Sequence, residues 1–162
     1  MKNKIFNWGQ LALIGLFFSL GQELLGQDFS SQLRITLEKV TQEAPARIRD
    51  RQLTQIGIVF PFYSQRQFEP LWIKQGKLTS LAYELRFEIR QVADDALNPE
   101  SYHLALMEAF FESYEKKLAS GSPLEGVELA ELELLLSDAY FRLSLDLDLG
   151  RVEPSKLKAK WG

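Results

Sequence analysis

The groups that could perform nucleophilic or acid–base chemistry are few in this sequence. It contains one histidine, His103, and no cysteine, which excludes thiol nucleophiles and thiolate metal sites. A lone histidine needs several well-placed carboxylates to hold a metal ion, and the sequence shows no such ligand spacing. Ser101, two residues away, would point off a different face of a helix. We therefore expect His103 to be a packing or capping residue, in a chain with no catalytic residue, cofactor or metal.

The carboxylates are not spaced as an acid–base pair. Glu131 and Glu133 are two residues apart, as are Asp146 and Asp148, and in a helix this spacing directs the two members to different faces. Carboxylates at helical spacing elsewhere are typical of solvated surface. The glycines form no phosphate-binding loop. A net charge of −3 without a basic cluster argues against a nucleic-acid partner.

One stretch stands out by composition. "FYSQRQFEPLW", residues 62 to 72, contains Phe62, Tyr63, Phe68 and Trp72 among polar residues and Pro70. These aromatics could pin an irregular loop onto a helical core, or they could form a surface that stacks on sugars or binds a partner. Composition favours the packing interpretation, in which Phe62, Phe68 and Trp72 are largely buried and Tyr63 reaches a polar partner.

Hydrophobic spacing predicts the elements that position these residues, and the fold class is mainly α, with an irregular aromatic loop. Pro61 should end or kink the second helix, and Gly76 should lie at the tip of a turn. The fourth helix should begin with Asn98 as cap and Pro99 at its first position. The predicted helices cover residues 30–41, 51–63, from 79 onward, 98–119 and 126–149, and the buried face of the fourth carries Leu106, Phe110, Tyr114 and Leu118.

The first 26 residues have the layout of a secretory signal peptide. Lys2 and Lys4 precede a short apolar run, and Gly21 or Gly26 offers a cleavage site after residue 21 or 26. The run is too short to cross a bilayer comfortably, which takes roughly 20 apolar residues. We therefore expect a periplasmic domain over residues 27–162, with membrane attachment only if the signal is not cleaved.

Four segments in order resemble a known family. "FYSQRQFEPLW", "GKLT", "VADDALNPESYH" and "LELLLSDAYFRLSLDLDLGRVEP" are similar to the N-terminal scaffold domain of the large periplasmic murein L,D-transpeptidases, over about residues 53 to 161. Ala96 stands where that family usually has glycine, which implies a steric cost if the position is left-handed. The signature residues are Phe62, Tyr63, Phe68, Trp72, Asn98, Pro99, Tyr102, His103, Gly150 and Arg151.

The resemblance implies a non-catalytic role in cell-wall biogenesis. The family's catalytic domain carries a Ser-His-Gly-Cys motif whose cysteine attacks peptidoglycan stems, and this chain has no cysteine to match it. The implied role is the scaffold portion of a truncated or split transpeptidase. Its partners would be the missing catalytic and peptidoglycan-binding domains. The alternative is a stand-alone periplasmic interaction module that binds murein or an envelope protein.

Overall fold

The computed structural model describes residues 29–122 and 124–148. Its fold is mainly helical, as the sequence predicts, and an aromatic cluster lies against its helices. The predicted signal peptide, Gly150 and Arg151 lie outside the described residues. The helices are α1 over residues 29–41, α2 Ile56–Gln65, α3 Ser80–Gln91, α4 Leu104–Ala119 and α5 Gly126–Asp148.

Two short hairpins join the first helices. Strands β1 (Arg47–Ile48) and β2 (Arg51–Gln52) pair antiparallel between α1 and α2. Strands β3 (Ile73–Lys74) and β4 (Lys77–Leu78) pair in the same way between α2 and α3. The turn of the second hairpin has two consecutive positive φ angles, 54° at Gln75 and 72° at Gly76, the backbone pattern of a tight hairpin turn. Gly76 therefore lies in the predicted turn, and that turn belongs to a hairpin.

α5 is the helix around which the others assemble. It contacts α2, α3, α4 and the short 3₁₀ helix Pro99–Tyr102. Its middle part is buried on nearly every side, which explains the leucine-rich sequence between Leu129 and Ala139. The alternating pattern "LSLDLDL" lies inside this helix and forms no strand. The buried middle part of the helix can therefore receive contacts from several segments at once.

α3 and α4 are joined by ion pairs. Arg86 binds Glu108 with a shortest distance of 2.6 Å, and Arg90 binds the same carboxylate at 2.7 Å. These hydrogen bonds lower the pKa of Glu108 from its ordinary value of 4.5 to about 2. Arg86 also lies over the ring of Phe111, 4.5 Å from its centroid. The two helices are therefore held by charge as well as by apolar packing.

Two predicted helix boundaries were wrong. α2 does not end at Pro61 but continues to Gln65; the hydrogen bond that a proline cannot donate would have gone to Gly57, in the first turn, where little of the helix depends on it. α4 begins at Leu104 and not at Asn98. The Asn98 side chain does accept a hydrogen bond from the Glu100 backbone N–H, 3.1 Å away, but it caps the separate 3₁₀ helix.

Candidate functional site

The aromatic segment lies directly against α5. Tyr63 is fully buried and Trp72 is 4% exposed, whereas Phe62 and Phe68 are partly buried and pack on the same core. The Phe62 ring makes an edge contact with Phe141 of α5 at a centroid distance of 5.3 Å. Such aromatic pairs contribute about 0.5–1.5 kcal/mol beyond the area that they bury. The segment is thus packed at both ends and more open in its middle.

A buried carboxylate on α5 holds the backbone of this segment. Glu133 Oε1 accepts hydrogen bonds from the Tyr63 hydroxyl at 2.7 Å, from Leu71 N and from Trp72 N at 3.1 Å. The Glu133 side chain has no solvent exposure. Because two of these donors are backbone N–H groups of an irregular loop, the carboxylate does for the loop what a neighbouring strand would do in a sheet.

Ser137, one turn further along α5, extends the same network. Its Oγ accepts the indole N–H of Trp72 at 2.8 Å and lies 2.6 Å from the Tyr63 hydroxyl. It also donates to the backbone carbonyl of Glu133 at 2.9 Å. Tyr63 and Trp72 therefore share a polar anchor as well as an apolar one, and both are buried, as are Glu133 and Ser137.

Burial sets the electrostatics of the network. Removal from water raises the pKa of Glu133, against the lowering effect of the hydrogen bonds from Tyr63 and the loop backbone. Burial, followed by the nearby charge of Glu133, also raises the pKa of the Tyr63 phenol well above its ordinary value. Both shifts have the same cause, which is the low dielectric around α5.

A second set of contacts ties the chain around Tyr102 and His103 to the same helix. His103 Nε2 lies 2.8 Å from Asp138 Oδ2, and the other oxygen of Asp138 accepts the backbone N–H of Gln55 at 2.6 Å. Asp146 Oδ2 accepts the Tyr102 hydroxyl at 3.0 Å. Burial and that hydrogen bond raise the pKa of Tyr102. Arg142 donates to the same oxygen of Asp146 at 2.9 Å.

His103 has a backbone reason for being held. Its φ of +62° is left-handed, a conformation that costs energy for a residue with a side chain and that here separates the 3₁₀ helix from α4. The buried bond to Asp138 offsets this cost and fixes the turn. Ala96 is also left-handed, with a φ of +59°, so it has the backbone geometry that glycine favours and for which the sequence predicted a steric cost.

We name the four buried polar residues of α5 the α5 clamp: Glu133, Ser137, Asp138 and Asp146. Each binds a segment that precedes α4 in the chain: the Tyr63–Trp72 stretch, the start of α2, or the Tyr102–His103 turn. Groups that are buried and mutually satisfied in this way stabilise a structure, because their polar atoms are already committed. The clamp positions loops and offers no free reactive group.

The sequence singled out the residues that bind the clamp, but it did not identify the clamp residues themselves. The structure brings together Tyr63, Trp72, Tyr102 and His103, because all four bind the clamp. Asn98 and Pro99 belong to the 3₁₀ helix that precedes this turn. The clamp itself carried a signal, since its acidic and serine residues interrupt a leucine-rich helix that is otherwise buried.

Within residues 29–122 and 124–148, no group of three or more acidic or histidine side chains is placed to hold a metal ion. None of the helices there combines the length and apolar character needed to cross a membrane.

The fold and the clamp define a helical framework protein, in which one long helix fixes several loops. Residues 58–162 match the sequence model of a family described as "Scaffold domain". The match covers more than half of the chain, so the protein belongs to the Scaffold domain family. No curated protein and no solved structure is significantly similar to it.

Proposed function

We propose that this chain supplies the non-catalytic scaffold of a peptidoglycan L,D-transpeptidase and acts in the periplasm. In this role it holds the catalytic and peptidoglycan-binding parts of such an enzyme in a working arrangement. The observation that carries the proposal is the Scaffold domain match over residues 58–162. This range contains all four of the sequence segments on which the resemblance rests.

The structure supports this proposal through the places where the signature residues lie. Tyr63, Trp72, Tyr102 and His103 resemble the family's signature, and each makes a buried contact with α5. Signature residues that bind the clamp have a structural role, because these contacts fix the positions of loops and leave no group for chemistry. This is the pattern expected of a domain that positions other domains.

The chemistry of the chain agrees with a division of labour. Acyl transfer by the thiol mechanism needs an ionised cysteine, and the chain contains none. Its only histidine is buried and bound to Asp138. The nucleophile of the proposed assembly must therefore come from another domain or another chain.

A domain exchange tests the proposal directly. Residues 29–162 would replace the scaffold segment of a large periplasmic murein L,D-transpeptidase that keeps its own catalytic domain. The chimera would be incubated with tetrapeptide-containing muropeptides, and 3→3 cross-linked products would be measured by mass spectrometry. We expect cross-linking well above that of the same enzyme with its scaffold deleted. A folded chimera no more active than the deletion contradicts the proposal.

Two variants of the chimera and one binding assay complete the design. Glu133→Ala should abolish the gain because it removes the anchor of the aromatic segment, whereas Glu112→Ala, at an exposed position on α4, should leave it intact. If the chain is instead a stand-alone interaction module that binds murein, the purified chain alone should co-sediment with murein sacculi. Sedimentation without rescue by the chimera would favour that alternative.

A further inference from the structure

The last turns of α5 expose apolar side chains on one stripe. Tyr140 and Leu147 are seven residues apart, two turns along the same face of the helix, and they are 43% and 57% exposed. Ser144 lies between them and is exposed as well. We name Tyr140, Ser144 and Leu147 the outer stripe. It continues the packed aromatic cluster, because the Tyr140 ring contacts the Trp72 ring at a centroid distance of 5.7 Å.

The chain continues from the end of this stripe. The Scaffold domain match extends beyond Asp148 through residue 162, so residues 149–162 belong to the family domain. This segment contains four large apolar residues, Leu149, Val152, Leu157 and Trp161. Fourteen residues can span up to about 46 Å when extended, whereas Tyr140 lies only about 12 Å back along the helix axis. The segment is therefore long enough to return along the stripe.

Charge also favours this segment as the occupant. Residues 149–162 contain four basic side chains and one acidic side chain, which gives a net charge of +3. Since the whole chain carries −3, the remainder carries −6. The carboxylate of Asp148 and the negative end of the α5 dipole lie where the segment begins. A basic segment with spaced apolar residues is thus complementary to both the charge and the exposed surface of the domain.

We propose that residues 149–162 fold back on α5 and cover the outer stripe, with Trp161 or Leu157 against Tyr140 and Leu147. The contact buries apolar surface that α5 otherwise exposes. It makes the segment part of the same rigid unit as the aromatic cluster. This inference does not depend on the proposed transpeptidase role.

A spin-label experiment on the full chain tests the contact. Because the chain has no cysteine, Ser144→Cys creates a single thiol that can carry a nitroxide. The indole N–H signals of a ¹⁵N-labelled sample then report which tryptophans lie near residue 144. Trp72 is an internal standard, because it contacts Tyr140 one turn away and must be broadened. We expect loss of the Trp161 signal as well.

Matched variants make the result decisive. A nitroxide at Glu112→Cys, on the outer face of α4, should leave the Trp161 signal intact, and Leu147→Lys combined with the label at residue 144 should restore it. A Trp161 signal unaffected by the label at residue 144 overturns the proposal. A mixture of two chains gives the second check: one is ¹⁵N-labelled and carries no nitroxide, and the other is not ¹⁵N-labelled and carries the nitroxide at residue 144. Loss of the Trp161 signal in this mixture also overturns the proposal, because the segment would then cover the stripe of a second copy.

Discussion

Replacing Glu133 with alanine should lower the free energy of unfolding of the domain by more than an average substitution does. The change removes a fully buried side chain that accepts hydrogen bonds from two backbone donors, Leu71 N and Trp72 N. Each buried donor left without a partner costs about 1–3 kcal/mol. Relief of the buried carboxylate's desolvation offsets part of this cost, so we expect a net loss of about 2–4 kcal/mol, from a total stability of roughly 5–15 kcal/mol.

Urea unfolding followed by tryptophan fluorescence measures this loss. With an m-value of about 1–3 kcal/mol/M, the midpoint should fall by on the order of 1–2 M. Glu133→Gln is the matched control, because it keeps the length of the side chain and one acceptor oxygen, and it should cost less than half as much. An alanine variant with a midpoint equal to or above that of the unchanged protein would refute the reasoning.

The pH dependence of this pair has a defined sign. Burial raises the pKa of Glu133 in the folded state. A raised carboxyl pKa contributes stability that is complete below the unfolded value and is lost as the pH rises through the folded value. The Gln variant does not titrate, so its stability relative to the unchanged protein should improve as the pH rises above about 4.5. A difference that is flat with pH would show that the ionisation of Glu133 is not linked to folding.

Three other measurements check the remaining parts of the structure. Trp72→Ala removes a buried ring and its bond to Ser137, and it should lower the free energy of unfolding by about 3–5 kcal/mol; an unchanged midpoint would mean that the ring is not packed. The lowered pKa of Glu108 contributes stability that is present above the pKa of the unfolded state and is lost as the pH falls from about 4.5 toward 2. Glu108→Gln should therefore flatten the acid limb of the plot of stability against pH. An unaltered slope would count against the ion pairs. The purified chain should form no 3→3 cross-links from muropeptides and no carbapenem adduct, because it has no thiol, and either product in mass spectrometry would disprove this.

The helices could be predicted because their signals are local. α5 was expected over residues 126–149 and is observed as Gly126–Asp148, since its leucine spacing is long and regular. α4 shows the limit of such spacing. Leu118 continues the predicted apolar face but is 58% exposed, because the buried face ends at Tyr114. Two-residue strands such as β1 and β2 are too short to have a period at all.

The clamp could not be predicted from residue spacing, because its partners come from distant parts of the chain and meet it only in the folded structure. Glu133 resembles any other carboxylate in a helix until Leu71 and Trp72 are brought to it from more than 60 residues away. The same holds for Asp138, which the chain joins to both Gln55 and His103. The sequence indicated that His103 was structural, but only the fold supplies its partner.

The position of the α5 clamp also constrains when the domain can fold. Its contacts close sequence separations of 83 residues between Gln55 and Asp138 and 70 residues between Tyr63 and Glu133. Pairings of such range are slow to form, because a long loop must close before any of its contacts is rewarded. Until α5 has been synthesised, the donors of the aromatic segment lack the acceptors that they bind in the folded domain. We therefore expect these segments to reach their final packing only after α5 has emerged from the ribosome.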